Sequence, residues 1–165
     1  MKDTEFAKEM ELIAGSSALQ PERFNHMLGL RLLDCSREEK WVEFLFAPDE
    51  WCRNPSGGVH GGVISSLFDT ATGMGAVGLT GMNVTTTDLT ISFLKPFNGA
   101  AYVFHIDFTN IGKRMVRGGG QGLRAGKRKA LRHFHGKFYG NRKQRTCIAG
   151  VTGQVYQRRA IYEHD

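Results

Sequence analysis

The residues best suited to chemistry lie in one short stretch, Asn54-Pro55-Ser56-Gly57-Gly58-Val59-His60-Gly61-Gly62, with Asp69 eight residues after Gly61. Paired glycines let the backbone come close to a ligand, and at the start of a helix the first-turn N–H groups lack acceptors and point outward. Donors of that kind suit a carbonyl oxygen that becomes negative during acyl transfer. Asp69 falls about two helical turns further along, among small residues, where another chain can pack closely and leave the carboxylate lining a cleft. Taken singly, these residues also have plainer readings. Asp69 alone would be a solvated helix carboxylate, and His60 a helix-start residue bonded to backbone.

The elements that must position these residues follow from the hydrophobic pattern. Phe6, Met10 and Ile13 recur at helical spacing in an N-terminal helical extension over 1–28, which Gly15-Ser16-Ser17 interrupts and Pro21 restarts with Phe24, Met27 and Leu28. Two strands are expected at 30–36 and 40–47, joined by the charged turn Arg37-Glu38-Glu39. In the second, Trp41, Glu43 and Leu45 share one face, and Val42, Phe44 and Phe46 the other. A long helix is expected from about Val59 to Leu79, its apolar stripe made by Ile64, Leu67, Phe68, Ala71 and Met74. Its opposite side carries Gly62, Ser65, Ser66, Asp69, Thr72, Gly73 and Ala76. Further strands are expected at 84–94, 100–110, 130–140 and 146–157. The stretch 112–129 is a strand by position but a poor one by propensity, with six glycines and no Ile, Phe, Tyr or Thr. No repeat or linker divides the chain, so residues 1–165 read as one α+β domain, a mostly antiparallel sheet around one long helix.

Asn54, His60-Gly61-Gly62 and Asp69, with Leu28-Gly29 ahead of the first strand, resemble the hotdog-fold acyl-CoA thioesterases of the phenylacetate-degradation (PaaI-like) type. The resemblance runs from about Phe24 to Pro96, and more weakly through 146–156. It implies a curved sheet wrapped round a central helix, and an active site shared across a homodimer, itself a unit of a possible tetramer. It also implies roles: Gly61 N–H polarises the thioester carbonyl, and Asp69 of the partner subunit is nucleophile or general base. Asn54 positions water or carbonyl, His60 shapes the site, and Gly62 lies against substrate. A Ser or Thr on the strand after the helix assists, which leaves Thr86 and Thr87 open. Lys113 and Arg114 stand where the family binds coenzyme A phosphates. The family needs no metal and no cofactor beyond the coenzyme A of its substrate.

The net charge of +6 is unevenly spread. Residues 1–107 carry 8 Lys/Arg against 14 Asp/Glu, whereas residues 108–162 carry 14 Lys/Arg and no acid. Coenzyme A phosphates would engage two or three of these cations. The excess leaves open a nucleic-acid partner, or a non-catalytic module binding acyl-CoA or nucleic acid, or a departure from the ancestral sequence over 116–129. Gly118–Gly122 lacks the Lys-Ser/Thr of a phosphate loop, and neither a Gly-x-Ser-x-Gly elbow nor a Cys–His signature occurs. His105, His133 and His135 have no ligands at metal spacing. The acid-rich start has no apolar signal core, and no apolar run reaches the ~20 residues of a membrane span. Cys35, Cys52 and Cys147, odd in number and widely spaced, fit a reduced cytoplasmic protein.

Overall fold

A computed structural model describes residues 3–126 in full and the backbone of 147–157. The strand expected over 130–140, with His133 and His135, lies outside the described residues, as does most of the basic stretch beyond 126. Helix α1 (Thr4–Gly15) and a 3₁₀ turn (Ser16–Leu19) lead to the single-turn α2 (Phe24–Met27), then β1 (Arg31–Ser36) and β2 (Trp41–Phe46). After a second 3₁₀ turn (Glu50–Cys52) comes α3 (Gly61–Thr80), followed by β3 (Val84–Phe93), β4 (Tyr102–Ile111), β5 (Met115–Arg124) and β6 (Cys147–Gln157). The six strands form one antiparallel sheet in the order β1-β2-β4-β5-β6-β3. Helix α3 contacts β2 to β6, so the sheet wraps round it as the resemblance implies.

The alternation read in β2 holds. Val42, Phe44 and Phe46 are buried in the core with Phe104, Ile106 and Phe108 of β4, against Ile64, Leu67, Phe68 and Ala71 of α3. Each of the larger of these side chains contributes about 1.5–3 kcal/mol on burial. The small-residue side of α3 is less open than its composition suggests, because Thr72 and Ala76 are buried. Small size is needed on the buried side as well. A Cβ on Gly75 would stand 2.7 Å from Phe108 Cζ and 2.8 Å from Val42 Cγ2, so the glycine lets α3 approach the sheet. Gly78 plays the same part against Met10 and Phe6 of α1. Arg37 ties these pieces together, pairing with Glu9, capping the Phe6 ring at 4.5 Å and donating to Gly78 O at 3.3 Å. The segment with poor strand propensity is strand β5, in the interior of the sheet between β4 and β6. Its glycines are there because space is short. A Cβ on Gly118 would lie 2.9 Å from Asp107 O, and one on Gly122 2.7 Å from Phe97 Cζ.

On the sheet face away from α3, the register sets Glu43 beside His105 and His105 beside Gln121, all three buried. His105 Nδ1 is 3.1 Å from Glu43 Oε1 and its Nε2 is 3.1 Å from Asp107 Oδ2, with the Trp41 ring 5.5 Å away. Burial alone would lower the His105 pKa. The hydrogen bonds to Asp107 and Glu43 outweigh that and raise it to about 9, so the ring is an imidazolium near neutrality. Burial, reinforced by Asp34, Asp3 and Glu11, pushes the Cys35 thiol up to about 11, which keeps it un-ionised.

A raised histidine pKa stabilises the fold fully below the unfolded value of 6.5, and that contribution is lost as pH climbs through about 9. Urea unfolding from pH 6 to 10 should therefore show a loss on the order of 3 kcal/mol that the His105→Gln variant does not share. Parallel pH profiles for the two proteins would contradict the assignment.

Candidate active site

The loop before α3 is built on Asn54. Its Oδ1 accepts from Ser56 N at 3.0 Å and Gly58 N at 3.1 Å, while its own N–H donates to Gly58 O at 2.7 Å. The carbonyl end of the amide is thus committed to the loop, and Nδ2 is the end left to act on a ligand. His60 is the N-cap of α3, and its Nδ1 accepts from Gly62 N at 3.0 Å. A Cβ on Gly62 would meet that ring at 3.1 Å, a tight contact that the cap avoids by having the second glycine. Gly61 is different. A Cβ there would only touch the Phe93 ring at 3.5 Å, an ordinary contact, so the packing does not demand glycine. Among the described residues the Gly61 N–H donates to no protein acceptor. It remains an outward donor at the positive end of a 20-residue helix.

Asp69, half-buried on α3, accepts from Thr86 Oγ1 at 2.5 Å. Of the two threonines that the sequence left open, Thr86 is the one whose hydroxyl meets Asp69. The β3–β6 register shifts between Thr86 and Asp88, so Thr87 falls at a bulge and is exposed. The bulge restores alternation, bringing Val84, Thr86, Leu89 and Ile91 to the helix side. The pair borders a groove of about 970 Å³ bounded by α1, the first 3₁₀ turn, α2, α3 and the start of β3.

Two half-sites result, and one chain does not bring them together. Gly61 and Asp69 are eight residues apart on a straight helix, about 12 Å along its axis. Gly61 lies against Phe93 at the end of β3, and Asp69 against Thr86 near its start. Lys113 and Arg114 occupy the exposed β4–β5 turn. There Met115 pairs with Tyr156 and Val84 with Gln157, so the turn is at the end of the sheet where β3 begins, away from Gly61 of the same chain. Phe93 was not singled out in the sequence, where it reads as one more strand aromatic. The apolar residues beside Asp69 in the groove were likewise invisible, because α1 and α3 meet only in the fold.

Comparison with known proteins bears on this arrangement. Residues 56–129 match the family model described as Thioesterase superfamily. A 61-residue segment is 38% identical to the Xenopus laevis acyl-coenzyme A thioesterase THEM4, covering 37% of this chain and 27% of that protein, so the chain spans only about a quarter of that relative's length. The thioesterase family protein from Silicibacter pomeroyi superposes with a TM-score of 0.68 at 20% identity, over 92% of this chain and 97% of that one. The E. coli PaaI protein from the phenylacetic acid degradation operon gives 0.65 at 17% identity, over 91% and 96%. The chain has the hotdog fold. The segment that matches the thioesterase model contains His60, Gly61, Gly62 and Asp69, and Asn54 stands two residues before it.

Because His60 is exposed and contributes through its cap, His60→Ala should lower stability by about 1 kcal/mol, whereas His60→Asn should restore most of it. Urea midpoints of the three proteins check this. Equal midpoints for His60→Ala and wild type would remove the cap's role.

Proposed function

We propose that the protein hydrolyses an acyl-CoA thioester to the free acid and coenzyme A, at a site completed by a second copy of the chain. The observation that carries this reading is the separation of an open donor at Gly61 from Asp69, further along the same helix and bonded to Thr86 of β3. Among the described strands β3 is an edge of the sheet and is largely exposed, a row of backbone groups suited to pairing. If two β3 strands pair antiparallel about a two-fold axis near Leu89, Thr86 of one copy falls opposite Phe93 of the other. Asp69 then faces the Gly61 N–H of the partner, twice per dimer. The same symmetry carries the β4–β5 turn, with Lys113 and Arg114, toward the partner's helix start, where coenzyme A phosphates would leave the cleft. Dimers, or tetramers built from them, are the working assembly. Cys35 and Cys52 are both free thiols, which suits the cytoplasm.

In this site the Gly61 N–H donates to the thioester oxygen, and holds the negative charge that forms on it. Asp69 either takes a proton from water as water attacks the carbonyl carbon, or attacks that carbon itself to give an anhydride that water then opens. Thr86 donates to one carboxylate oxygen and aims the other at the carbonyl. The C–S bond breaks, and the coenzyme A sulfur leaves as thiolate and is protonated. Asn54 Nδ2 and His60 line the entry, the first able to hold water or carbonyl oxygen. Gly62 keeps His60 in place.

Thiol release from a panel of acyl-CoAs tests the reading. Wild type should turn over at least one of them, Asp69→Ala should lose on the order of 10³-fold or more in kcat, and Asn54→Ala should lose less. Turnover by Asp69→Ala close to wild type would refute it. Binding of acyl-CoA or DNA without any thiol release would favour a non-catalytic module instead.

A further inference from the structure

The groove beside Asp69 extends well past the reacting groups. Asp69, Gly73 and Val77 follow one another at four-residue steps on the α3 face that borders it. A Cβ on Gly73 would meet nothing within 4 Å, so a longer side chain here would project into the lane beyond the carboxylate rather than pack against this chain. Met74 and Val77 flank the lane on the helix, with Leu12, Ile13, Phe24 and Leu30 across the groove. Leu12 is 76% exposed and Phe24 49%, so apolar surface stands uncovered there. The hydroxyls of Ser16 and Ser17, which also line the groove, are spent on Ile13 O at 2.7 Å and Ala14 O at 3.1 Å. Asp69 and the exposed Arg23 are the charged residues of the lining.

We propose that this groove takes the acyl tail of the substrate, that the tail is a straight aliphatic chain of medium length, and that Gly73 is the residue that admits it. The proposal rests on the hydrolase reading above. From Asp69 to Val77 the lane is about 12 Å long. An extended chain advances about 1.3 Å per carbon, so roughly nine carbons fill it. An arylacetyl group would reach only about half as far, leaving Val77 and Leu12 in water, and a short acyl group would touch neither wall. The N-terminal segment α1–α2 therefore serves as the far wall of the tail site as well as a brace for the core through Phe6 and Met10.

The experiment measures kcat/KM of the full chain for acetyl-, butyryl-, octanoyl-, decanoyl-, palmitoyl- and phenylacetyl-CoA, in wild type and in Gly73→Ala, Gly73→Leu and Gly73→Phe. Light scattering and thermal unfolding of each protein accompany it. Wild type should prefer octanoyl or decanoyl over butyryl by at least about tenfold. Gly73→Leu should reduce the decanoyl-to-butyryl ratio at least about tenfold, chiefly through KM, and the optimum should shorten in the order Ala, Leu, Phe. Gly73→Ala adds a helix-favouring residue in open space, so it remains folded if a larger variant does not. A ratio unchanged across the series overturns the proposal, as does phenylacetyl-CoA outranking every straight chain. A changed oligomeric mass in Gly73→Leu would also overturn it, because the groove would then be a protein interface. Failure of wild type to release thiol from any of these substrates would instead overturn the hydrolase reading, and this proposal with it.

Discussion

Helix α3 is held close to the sheet by Gly75 and close to α1 by Gly78, where a single Cβ would collide with Phe108 and Val42 or with Met10 and Phe6. That clamping makes the helix a rigid rule. Along it Gly61 and Asp69 are kept about 12 Å apart on the helix axis, at opposite ends of β3. The buried face of α3 determines this spacing, and its other face determines what can lie beside it. Both the fold and the proposed chemistry depend on how near the helix can approach its neighbours.

Residues around the two half-sites divide between those the fold needs and those it does not. Gly62 leaves room for the His60 cap, and the Asn54 carbonyl is taken up by the loop of 54–58. Gly61 and Gly73 answer to no such demand, since a Cβ at either would be accommodated. At Gly73, in the helix interior, glycine costs about 1 kcal/mol that packing does not require, which points to space kept for something other than this chain. In the proposed chemistry the space at Gly61 would take a carbonyl oxygen beside an open donor, and that at Gly73 an acyl tail.

Much of this was legible in the sequence. The alternation Val42-Phe44-Phe46 and the stripe Ile64-Leu67-Phe68-Ala71 mark the core because period alone tells which face is buried. The spacing of Asn54, Gly61 and Asp69 carried the resemblance. What stayed hidden depended on register or on close contact. A bulge at Thr87, which no propensity announces, decided that Thr86 meets Asp69. The Glu43–His105–Asp107 cluster needs the β2–β4 register to join Glu43 to a histidine 62 residues away. Strand β5 looked unsuitable because propensity scores a glycine by what it lacks, whereas here the neighbours of Gly118 and Gly122 leave no room for more.

The central claim is that Gly61 of one copy works with Asp69 of another. Proline at the first position of a helix removes the N–H while keeping helical geometry, and His60 already has the extended backbone that a following proline prefers. Gly61→Pro and Asp69→Ala chains should each form inactive dimers. When the two are co-expressed, half of the randomly assembled dimers are mixed, and each mixed dimer carries one intact site of two. The account predicts recovery of roughly a quarter of wild-type thiol release in the mixture. Mixed dimers that form but stay inactive would contradict it.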